Sequence, residues 1–66
     1  MCRSIKTLRR ADETPTQEEI EAAALQYVRK ISGYRQPSQV NSQAFNTAVR
    51  EVSAASQRLL DSLQVR

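Results

Sequence analysis

The sequence predicts an all-α protein: a two-helix hairpin, about 17–32 and 42–63, with an N-terminal arm packed on it. Three observations carry that expectation. Both segments repeat apolar residues at helical spacing. The first opens on a capping pattern and closes on a glycine, as a helix followed by a turn should. One glycine and two prolines in 66 residues are too few for strand-and-turn architecture or for disorder.

The first helix starts at Pro15-Thr16. Glu19 stands three residues after Thr16, the spacing at which a threonine hydroxyl and a glutamate carboxylate cap each other's backbone amides. Ile20, Ala24, Tyr27 and Ile31 then form one stripe, flanked by Ala23 and Val28, and Ala22–Ala24 add intrinsic helix propensity. Gly33 follows where a left-handed residue ends a helix, which puts Tyr34 in position for an apolar contact back to Val28. Leu25 lies off the stripe, either facing solvent or receiving the arm.

In the link that follows, Pro37 keeps Gln36 out of the helical region. Asn41 is the expected N-cap of the second helix, with Ser38 as the competing start. Phe45, Val49, Val52, Leu59 and Leu63 share a stripe, widened by Ala48, Ala55 and Leu60. Asn46, Arg50, Gln57, Arg58 and Asp61 occupy the opposite face. Two helices joined by so short a link lie antiparallel or cross steeply. The wide second stripe exceeds what one short neighbour hides. The arm, a second copy or another protein is expected to cover it.

The arm, MCRSIKTLRRADETP, spaces Cys2, Ile5 and Leu8 by three. Docking on the hairpin would complete a core that a chain of this length barely sustains. The reading is therefore one domain, 1–66, with the arm and link over 1–15 and the hairpin over 16–63. The basic side chains between the apolar ones are expected to point outward.

Composition excludes much chemistry. Without histidine there is no ordinary base to activate a nucleophile. Phosphate cradles need more than one glycine. Glu18, Glu19 and Glu21 fall in the first turns of a helix, where they complement its dipole. Cys2 is the sole cysteine, so no intrachain disulfide forms, and the chain alone offers no metal-ligand set. No cofactor and no enzymatic activity are expected. The first ten residues carry four cations and no secretory apolar segment, and no apolar run spans a bilayer.

The net charge is +3. Arg3, Lys6, Arg9 and Arg10 place four positive charges in the arm without an acid. Arg29, Lys30 and Arg35 cluster at the end of the first helix, beside Tyr34. These eight residues are the candidate partner-binding surface. A solvated tail and helix-dipole compensation are the plainer readings of the same charges. Cys2 is a candidate thiol whose pKa Arg3 and Lys6 would lower, or else a small buried hydrophobe.

The opening MCRSIKTLR and the run AALQYVRKISGYRQPSQVNSQAF resemble a bacterial family known as domain of unknown function 2277. Its short members begin Met-Cys-Arg-Ser-Ile-Lys, here Met1 to Lys6. They carry Val-Arg-Lys-Ile-Ser-Gly, here Val28 to Gly33, before a basic proline-containing turn, here Arg35, Pro37 and Ser38. The resemblance implies bacterial origin, cytoplasmic location, a single domain and an arm that belongs to the folded unit. It implies no activity.

The expected function is a non-enzymatic helical interaction module with a protein partner or a second copy of itself. The alternative is sequence-indifferent association with nucleic acid through the basic arm and turn. A thiol or metal site at Cys2 is the weaker third reading.

Overall fold

A computed structural model describes residues 5–10 and 13–63. Helix α1 spans Gln17–Ser32 and helix α2 spans Ser42–Ser62, with a single 3-10 turn at Gln39–Asn41 between them. The two helices pack against each other, and no strand occurs among the described residues.

The expected start of α1 is present in full. The Glu19 amide donates to the Thr16 hydroxyl at 3.1 Å, and the Thr16 amide donates to Glu19 Oε1 at 2.9 Å. At the other end Gly33 has φ 78°, and its amide donates to the Arg29 carbonyl. The Tyr34 amide donates to Ser32 Oγ, and Tyr34 stays 42% exposed.

Both candidate starts of the second helix are used. The 3-10 turn begins after Ser38, and α2 continues it from Ser42. Asn41 stands at the N-cap but makes no capping bond. Its side-chain amide donates instead to Ser38 Oγ at 3.1 Å and to Tyr34 Oη at 3.3 Å, so it ties the link together.

The core is small. Ile20, Ala24 and Val28 of α1 and Phe45 of α2 are its buried apolar residues among those described, and Ile20 is the largest fully enclosed side chain. Each fully buried large apolar side chain contributes about 1.5–3 kcal/mol before entropy. The stripe on α1 differs from the sequence expectation: Tyr27 and Ile31 are exposed, while Val28 is inside. Residues 20, 24 and 28 step by four, so the contact line drifts about 40° per step around the helix. The drift carries it away from 27 and 31.

On α2 the line likewise runs through Phe45, Val49, Ser53 and Leu60, leaving Leu59 58% exposed and Leu63 42% exposed. Ser53 is buried with no hydrogen-bond partner for its hydroxyl. At 21 residues against 16, α2 outruns the helix that covers it.

Residues 5–10 of the arm dock on the hairpin, but not where the sequence reading placed them, and the expected seat of Cys2 lies outside the described residues. Ile5 and Leu8 are half-buried over Ala22, Ala23 and Gln26 of α1. Leu25 does not line that groove. The link over Thr14-Pro15 runs beside Leu60 and Leu63 at the end of α2. The wide stripe through Ala48, Ala55 and Leu59 stays open.

Candidate interaction surface

The eight basic and aromatic candidates separate into two groups with different surroundings, and Arg3 lies outside the described residues together with Cys2. In the arm, Glu19 gathers the charge. Arg10 donates to its carboxylate through both terminal nitrogens, Nη2 to Oε1 at 2.9 Å and Nη1 to Oε2 at 3.2 Å. Lys6 Nζ lies 3.6 Å from Oε2, and Arg10 Nε lies 3.3 Å from Glu13 Oε1. A bidentate guanidinium–carboxylate pair is the strong form of such contacts.

The Arg10 hydrogen bonds and then the Thr16 amide lower the Glu19 pKa from 4.5 to about 2; burial opposes them, and the charges of Arg10 and Lys6 add smaller contributions to the lowering. The arm cations were expected to point outward. Arg10 does the reverse: its side chain is only 28% exposed, because the acid that caps α1 also faces the arm. Lys6 remains 71% exposed while touching the same carboxylate. Arg9 is exposed at the end of α2, beside Pro15 and Leu63.

The second group sits at the turn. Arg29, Lys30, Gly33, Tyr34 and Arg35 line one hollow with Gln26, and no carboxylate borders it. Local bonds hold the backbone there. Arg29 Nε donates to the Arg35 carbonyl at 3.0 Å, and the Tyr34 hydroxyl accepts from Asn41. Lys30, Tyr34 and Arg35 are exposed, and Arg29 is half-buried. Gln26 also borders the groove under Ile5 and Leu8, so the two hollows adjoin along one flank of α1.

Sequence reasoning missed Glu19 as the anchor of the arm, since it treated that acid only as a cap. A carboxylate already fixed at N3, with unmatched cations upstream, was the available signal. Asn41 and Gln26 carried no signal of their own. Among the described residues no group of three or more His, Cys, Asp or Glu lies close enough to hold a metal. No described helix is long and apolar enough to cross a membrane.

No curated protein and no solved structure matches the chain. A family model does: the one described as an uncharacterized conserved protein, DUF2277, matches residues 1–66, from the Met-Cys-Arg-Ser-Ile-Lys opening through the turn and α2, and the chain belongs to that family.

Proposed function

We propose that this protein is a non-enzymatic, cytoplasmic interaction module that presents the basic turn between its helices to an acidic protein surface. The observation that carries this reading is the contrast in neutralisation. Lys6 and Arg10 are matched by Glu19, whereas Arg29, Lys30 and Arg35 surround a hollow with no acid on its border. A concave surface with fixed backbone, exposed cations and a half-exposed tyrosine suits recognition, because arginine and tyrosine lose little freedom for the contacts they gain. A non-catalytic reading is supported by Glu19 itself. Its carboxylate is held ionised by a structural partner, which suits anchoring and not proton transfer.

The test places a photo-crosslinking phenylalanine analogue at position 34 of the full chain in living cells, with the same analogue at exposed Asn46 as control. A protein adduct specific to position 34 that survives nuclease is expected. An adduct that nuclease removes would transfer the surface to nucleic acid, and labelling no greater than at position 46 would overturn the reading. Salt separates the same cases, since phosphate-driven binding weakens steeply as salt rises.

A further inference from the structure

The open stripe of α2 lies on a different side of that helix from its contact with α1, and it has an internal order. Val52 and Leu59 are seven residues apart, as are Ala48 and Ala55, and as are Glu51 and Arg58. Seven residues are close to two helical turns, so each pair lies along its own line parallel to the axis. The lines are adjacent: a bulky line, a small line and a charged line at the edge. Leu59, Ala44, Ala55, Glu51 and Arg58 are exposed, and Val52 and Ala48 are half-buried. Neither Glu51 nor Arg58 has an ion-pair partner among the described residues.

We propose that the protein forms a dimer through α2, with the α2 helices of two copies antiparallel about a twofold axis midway between residues 53 and 54. This register sets Val52 opposite Ala55 of the partner subunit and Leu59 opposite Ala48 of the partner subunit. Each layer therefore pairs a large side chain with a small one, the arrangement that lets facing helices interdigitate. A shallow hollow lined by Val40, Gln43, Ala44, Thr47, Ala48 and Glu51 borders this face on the single chain. Under a twofold axis each edge of α2 runs along the same edge of its copy. The same register then brings Glu51 near Arg58 of the partner subunit, and Arg58 near the partner's Glu51. Packing and charge select one alignment independently. A parallel pairing would instead run this charged edge along the opposite edge of the copy, where Glu51 and Arg58 would not meet.

The dimer surface is separate from the basic turn, so either proposal can fail without the other.

Sedimentation equilibrium of the full chain over a concentration series tests the dimer. The expected limiting mass is twice 7.5 kDa. Leu59→Glu should yield a chain of single mass that keeps its helical circular dichroism. Glu51→Arg and Arg58→Glu should each weaken association roughly fivefold or more, because each sets like charges side by side. The two together should restore it, an outcome that a mere loss of folding would not produce. A single-chain mass at every concentration overturns the proposal, as does a dimer unaffected by Leu59→Glu. A double variant no tighter than the singles overturns the antiparallel register. Lys30→Gln with Arg35→Gln should leave the mass unchanged, which keeps this result apart from that of the turn.

Discussion

The two ends of α1 carry similar positive charge and treat it in opposite ways. At the start of the helix, Lys6 and Arg10 fold onto Glu19, so the charge of the arm helps to hold it down. At the end, Arg29, Lys30 and Arg35 face a hollow without an acid, and the tie made there, Arg29 Nε to the Arg35 carbonyl, fixes backbone without neutralising charge. Helix polarity explains part of the difference. An acid is favoured in the first turn and cations in the last, so only the first turn supplies a carboxylate for basic side chains to meet. Clustered charge in a sequence therefore does not show whether it serves the fold or remains for a partner. The position of the opposite charge decides that.

The contrast can be broken most directly by removing the arm. Deleting residues 1–9 removes Ile5 and Leu8, each half-buried, and should lower stability by about 2–3 kcal/mol in denaturant melts. An unchanged midpoint would show that the arm is a tail. The next largest effect is expected from Glu19→Gln, which loses the Arg10 pair and weakens the capping box together. Its signature is pH dependence. With the folded pKa lowered to about 2 from 4.5, the contribution of Glu19 is fully present above about 4.5 and lost as pH falls toward 2. Melts across that interval should slope more steeply for the native chain than for Glu19→Gln, and equal slopes would contradict the anchor.

At the turn, Gly33→Ala should cost on the order of 1 kcal/mol, from the left-handed backbone alone. A Cβ there meets nothing within 4 Å, so a larger loss in thermal melts would point to a contact not described above. Between the two ends, Ser53→Ala should stabilise by about 0.5–1 kcal/mol, since it removes a buried hydroxyl without a partner and gains helix propensity. A loss on substitution would reveal a bond to that hydroxyl. The smallest change should come from Lys30→Gln with Arg35→Gln, within about 0.5 kcal/mol. If these cations stabilise the fold as Arg10 does, the two ends are alike and the basic turn loses its claim as a binding surface.

What the sequence by itself determined is local. The Thr16–Glu19 capping box, the left-handed Gly33, the two helices and the break between them follow from bonds spanning three or four residues, where side-chain type and spacing suffice. Membership of the family was legible for the same reason, in short runs of residues at the N-terminus and the turn. Only the tertiary structure decided which apolar residues go inside. The crossing of the helices chose Val28 over Tyr27 and Ile31, and left Leu59 outside although it shares a stripe with Phe45. Tertiary structure also brought Arg10 to Glu19, nine residues away, and seated Ile5 and Leu8 over Ala22 and Ala23 instead of near Leu25. Those outcomes depend on how two rods meet and on where a folded-back arm finds both an apolar groove and a carboxylate. Periodicity along one helix contains neither quantity.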